Sequence, residues 1–165
     1  MTTRAAFTQD EWEVLSKTLH EPSVVVMIAS PGGGLWEIFA MIQGALEAAE
    51  KFSESELAQS LLNEMAPSRQ EPRPRLKQTG RAPGDAVFDL VMDEMIAHLR
   101  RAVKIVAAKA TAQEVDEYRQ LVMFLAEKTA NAASEGSFLG MGGERVTEDE
   151  RRVLDEIKLA LHRKV

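Results

Sequence analysis

The stretch "AVKIVAAKATAQEVDEYRQLV", residues 102 to 122, decides the fold. Thr111 stands three residues before Glu114, the spacing of a capping box. There the hydroxyl accepts from the amide three residues on, while the carboxylate returns to the amide of the cap. A helix start is therefore marked at Thr111, directly behind another apolar run. Upstream, at about 100° per residue, Val87, Val91, Met95, Leu99, Ala102, Val103 and Val106 fall within one broad arc opposite Asp89, Asp93, Arg100 and Lys104. This pattern predicts a helix from Asp85 to about Lys109. Downstream, Val115, Tyr118, Leu121, Val122, Leu125 and Ala133 form the inner stripe of a second helix from Thr111 to Glu135. So short a connection makes the two helices an antiparallel hairpin.

The same local grammar recurs outside the hairpin. Thr8 with Glu11, Ser53 with Glu56, and Thr147 with Glu150 have capping-box spacing. Phe7 with Trp12 and Phe52 with Leu57 occupy the flanking positions of a hydrophobic staple. The expected helices run from Thr8 to His20, stopping near Pro22, over residues 35–51, from Glu54 to about Ala66, and from Glu148 to about His162 through Val153, Leu154, Ile157, Ala160 and Leu161. "SVVVMIAS" at 23–30 is β-branched, but no second strand exists to pair with it, so a short buried helix is expected. The fold predicted is an all-α, single-domain bundle of about six helices. The hairpin is central, the apolar 24–49 region packs on it, and the last helix closes the core.

Composition agrees. The chain of 165 residues is the size of one domain, and its aromatic content is only 5%, so Leu, Val, Ile, Ala and Met must build the core, a set that favours helices. The absence of cysteine excludes disulfides, thiolate catalysis and cysteine-ligated zinc. A net charge of −6 opposes general nucleic-acid affinity, which needs clustered Lys and Arg. "MTTRAAFTQDEWE" turns acidic where a signal peptide would be apolar, and residues 1–6 read as a flexible tail. The apolar 24–46 region is broken at "SPGGG" into halves too short to span a bilayer, which takes roughly 20 residues. The expectation is a cytoplasmic, bacterial protein with no membrane span.

Residues 67–84, "PSRQEPRPRLKQTGRAPG", hold four prolines and no apolar periodicity, the signature of a mobile connection. Arg69, Arg73, Arg75, Lys77 and Arg81 make it a candidate basic arm for an acidic partner, RNA or a membrane surface.

The strongest chemical candidate is Glu94 with His98, i and i+4 on one helix face, with Arg101 a turn further on. A carboxylate can orient an imidazole for base or ligand duty, and boundary polar residues occupy the same positions in ordinary helices. A di-iron bundle needs Glu-x-x-His on two helices, and the chain has none. His20 and His162 are each expected at a helix C-terminus, where a cation suits the dipole. Neither a Gly-x-Ser-x-Gly nor a His-Glu-x-x-His motif is present. No metal or cofactor is expected.

Two glycine-rich stretches could be phosphate loops. "SPGGGLWEIF" lacks the Lys-Ser/Thr ending of a P-loop, and the helix after "GMGGER" opens with Glu148, Asp149 and Glu150, which repel an incoming phosphate. The second stretch reads better as a packed connector, with Gly136 capping the preceding helix, Phe138, Leu139 and Met141 filling a gap, and no anion at Thr147. "SEGSFLGMGGERVTEDE", 134–150, resembles the C-terminal part of an uncharacterised family of small bacterial all-helical proteins, with a Gly-Phe-Leu-Gly-x-Gly-Gly loop before a Val-Ser/Thr-x-x-Glu helix start. The resemblance implies an all-helical fold and carries no activity, ligand or site residue with it.

With no chemical constellation in view, the expected function is that of a non-enzymatic interaction or regulatory protein, a homodimer with Trp36 and Phe124 as candidate contact residues. The alternatives are a small-ligand or metal-binding protein using Glu94 and His98, and a nucleic-acid accessory protein using the 69–81 arm.

Overall fold

The computed structural model describes residues 1–30, 35–65, 86–135 and 146–162, and the backbone alone at 35–40 and 132–135. Six α-helices lie within them: α1 (Gln9–Ala29), α2 (Leu35–Lys51), α3 (Glu56–Met65), α4 (Ala86–Lys109), α5 (Ala112–Glu135) and α6 (Glu148–His162). The protein is an all-helical bundle. A single continuous core runs through it, with Trp12, Leu15, Leu61, Met95, Leu99, Tyr118, Leu121, Ile157 and Leu161 all but sealed from water.

Three of the four expected capping boxes are closed. The amides of Glu11, Glu114 and Glu150 donate to the hydroxyls of Thr8, Thr111 and Thr147, and each glutamate accepts from the amide of its threonine. The Phe7 and Trp12 rings lie 5.8 Å apart, which fixes the entry to α1. The fourth box, Ser53 with Glu56, does not form. The amide of Phe52 still donates to Ala48 and that of Ser53 to Glu50, so α2 unwinds through Ser53 before the next helix can begin. Ser55 caps α3 instead, accepting from Ala58 at 3.4 Å. Phe52 consequently turns its ring edge-on to Phe124, 6.2 Å away, and not into a staple with Leu57.

The expected stop at Pro22 is also overturned. Helix α1 continues through a buried Pro22 to Ala29, absorbing "SVVVMIA" into the same helix, so His20 lies within α1 and not at its end. A mid-helix proline costs about 3 kcal/mol in isolation. Here that cost is offset by burial of Leu19, Ser23, Val25, Val26 and Ala29, in a helix that packs against α4, α5 and α6. The helix ends at Ala29, with Ser30 as its C-cap. Ser30, before Pro31 in the sequence, is extended at φ −77° and ψ 128°, the conformation a following proline imposes.

Helices α4 and α5 are joined by Ala110 and Thr111 alone and fold back as a hairpin. Helix α1 lies against both arms. Its direction follows from its partners: Glu11 pairs with Lys109 and Glu21 with His98, so α1 runs antiparallel to α4. Thr18 meets Tyr118, and Thr2 meets Glu114, so α1 runs alongside α5 in the same sense. Helix α2 covers the outer side of α5, pairing Glu47 with Lys128 and Phe52 with Phe124. Gly44 is buried there, and a Cβ on it would stand 3.2 Å from Lys128 Cβ. Helix α6 closes the bundle against α4, α1 and α5.

The buried face of α4 is rotated at its start from the expected one. Phe88 and Met92 point inward, Val91 is half-buried and Val87 is exposed. Two apolar rows run side by side in this turn, and the bulkier row takes the interior. From Met95 onward the expected face holds.

Candidate functional site

The most chemically distinctive polar pair lies on the α1–α4 seam. His98 Nδ1 stands 3.0 Å from Glu21 Oε2 and 3.2 Å from Oε1. Both side chains are half-buried, at 29% and 16% exposure. An ionised carboxylate only accepts hydrogen bonds, so this geometry places a proton on Nδ1 and, in the neutral ring, leaves the lone pair on Nε2. Lys17 Nζ lies 3.6 Å from the same carboxylate.

The sequence-predicted partner of His98 is therefore replaced. Glu94 is exposed and makes no bond to His98, and Arg101 is exposed one turn beyond it. Glu21 was missed because it lies 77 residues away, on a segment expected to have left the helix. Among the described residues, no three His, Asp or Glu side chains come together in a way that could hold a metal ion.

The capping-box glutamates form a second polar feature, since each also reaches a distant element. Glu11 accepts from Lys109, whose ammonium also reaches the carbonyl of Ala6. This hydrogen bond, with the Thr8 amide, lowers the Glu11 carboxyl below its usual range. Glu150 accepts from Ser30 at the end of α1. Glu114 accepts from the amide and hydroxyl of Thr2. Burial is the largest single influence on Glu114 and raises its pKa, but hydrogen bonds from Thr2 and Thr111 together outweigh it and hold the carboxyl at about 2. The 1–6 segment, expected as a flexible tail, is thus fastened to the starts of α1 and α5 and the end of α4. Arg4 strengthens the attachment by bonding to the Phe7 carbonyl and lying 5.0 Å from the Trp12 ring.

The third feature is the outer surface of α2. Ile42 and Leu46, i and i+4 on one face, are 52% and 60% exposed. On the other side of α2, where it crosses α5, Phe124 is half-buried, its ring approached by Lys51 Nζ at 4.6 Å and Lys128 Nζ at 5.4 Å, a cation–π arrangement. The side chain of Trp36, residues 69–81 of the basic arm, and Phe138, Leu139 and Met141 lie outside the described residues. Thr147 can be placed: its amide and hydroxyl are both occupied by the Glu150 carboxylate.

Among the described residues no helix is long and apolar enough to cross a membrane. No family model matches the chain, nor does any curated protein or solved structure.

Proposed function

We propose that this is an interaction protein that acts as a homo-oligomer, with the outer face of α2 as its contact surface. The observation that carries this reading is the exposure of Ile42 and Leu46 one turn apart on a helix whose opposite face is committed to α5. Large apolar side chains that expose a continuous strip generally mark a contact. A two-fold interface needs a patch that complements itself. Glu50, one turn past Leu46, borders this one. Bacterial origin and a cytoplasmic location belong to the same proposal.

The lack of native cysteine makes a direct test practical. In Leu46→Cys the new thiol should react with a maleimide more slowly as protein concentration rises. In Leu159→Cys, at an α6 position of similar exposure, 63%, the rate should not change. Equal, concentration-independent rates at both positions would rule out association through α2.

A further inference from the structure

We propose that His98 is a phosphoryl-accepting histidine, with Nε2 as the nucleophilic atom and Glu21 as its positioning residue. Three observations converge on it. Both oxygens of Glu21 face Nδ1, at 3.0 and 3.2 Å, so the neutral ring is held as the tautomer whose lone pair is on Nε2. Among the described residues Nε2 makes no hydrogen bond, and the side chain keeps 29% of its surface open at the α1–α4 seam. Two cations occupy neighbouring positions: Lys17, with its Nζ 3.6 Å from the Glu21 carboxylate, and Arg101, three residues past the histidine along α4.

The chemistry that fits is transfer from an activated donor carrying an acyl phosphate or a phosphoramidate bond. The Nε2 lone pair attacks phosphorus, the new P–N bond forms, and the P–O or P–N bond to the donor breaks. The leaving carboxylate departs with that electron pair, or the leaving amine departs with the pair and a proton from water. The Nδ1 proton stays in place, and the positive charge that develops on the ring is stabilised by Glu21, as a carboxylate stabilises an imidazolium in a catalytic triad. Lys17 and Arg101 attract the incoming phosphoryl group, while Glu21, and Glu94 one turn the other way, oppose it, so the four side chains sum to zero before it arrives.

The other two histidines provide an internal control. His20 also bonds through Nδ1, to the neutral carbonyl of Ser16 at 3.1 Å, so it presents the same tautomer without a carboxylate. His20 and His162 are both more exposed than His98. If accessibility alone governs reactivity, they are modified first.

The test treats the full chain with potassium phosphoramidate and, in a parallel arm, with acetyl phosphate, and locates phosphohistidine by mass spectrometry after alkaline handling. His98 is expected to be phosphorylated ahead of His20 and His162 in the phosphoramidate arm. Labelling in the acetyl phosphate arm as well identifies an acyl phosphate as a competent donor, and its absence assigns a P–N donor. In Glu21→Gln, with helicity matched to wild type, the ratio of His98 to His20 labelling within the same molecules should fall about tenfold, the scale on which the second partner of an imidazole acts. A lead by His20 or His162 would overturn the proposal, and so would a ratio unchanged in Glu21→Gln.

Discussion

The hydroxyls of Thr18 and Tyr118 meet at 2.6 Å in the centre of the bundle, where both side chains are sealed from water. Thr18 Oγ1 also lies 2.9 Å from the carbonyls of Val14 and Leu15. Its single hydrogen goes to those acceptors, so Tyr118 must be the donor to Thr18. This polarity predicts unequal substitutions. Tyr118→Phe leaves Thr18 bonded to its own helix and should cost about 1 kcal/mol, whereas Thr18→Val strands a buried phenol and should cost about 1–3 kcal/mol. Urea unfolding of both variants and the double variant measures the difference. Equal single costs would contradict the assigned donor.

The same pair governs the alkaline limit. Burial raises the pKa of the Tyr118 phenol above its ordinary value, and the Thr18 bond only partly opposes this. The unfolded chain releases the proton first, so the stability gained from a neutral buried phenol is complete below the ordinary value near 10 and falls as pH rises above it. Tyr118 is the sole tyrosine, so ultraviolet titration reads it alone. Tyrosinate absorbance should appear together with loss of helicity and not before it.

At the acid end the sign is reversed. Glu114 is held at about 2 against a usual 4.5, so its contribution is present above pH 4.5 and is lost as pH falls from there towards 2. Glu114→Gln should flatten the acid limb of a stability curve across that window and loosen Thr2 as well as the start of α5. Thermal melts at a series of pH values measure the slope. An acid limb as steep as that of wild type would show that the Glu114 carboxylate and its bonds to Thr2 and Thr111 contribute nothing to it.

The close approach of α2 to α5 at Gly44 gives a graded prediction. Alanine gains up to about 1 kcal/mol of helix propensity over glycine but brings a Cβ to 3.2 Å from Lys128 Cβ, so Gly44→Ala should stay near wild-type stability. Gly44→Val adds two methyl groups at the same crossing and should destabilise by about 1–3 kcal/mol, the usual cost of overpacking. Denaturant midpoints of the two variants check the order.

What could be read from the sequence was what is local. The boxes at Thr8, Thr111 and Thr147 depend on chemistry within one helical turn and were fully visible. Ser53 has the same spacing, but whether it caps depends on where α2 releases its last amides. Pro22 obeyed tertiary packing over its own local rule, because α1 lies deep enough for burial to compensate for the missing donor. At the start of α4 the apolar rows Val87–Val91 and Phe88–Met92 were equally apolar in pattern, and only the neighbouring helices choose between them. His98 was identified, but its carboxylate was assigned to Glu94 because pairing by helix spacing cannot reach across to Glu21. Phe124 is a contact candidate by sequence, and its cover by Phe52 and Lys51 depends on how α2 crosses α5.

The exposed strip of α2, Ile42 with Leu46, is proposed to join two copies of the chain. Light scattering across micromolar concentrations, on wild type and on an Ile42→Glu, Leu46→Glu double variant of matched helicity, tests it most directly. Wild type should weigh twice the 18.3 kDa of the chain and the variant should weigh that of a single chain. A wild-type protein that remains at 18.3 kDa throughout, or a variant that associates as wild type does, would contradict the claim.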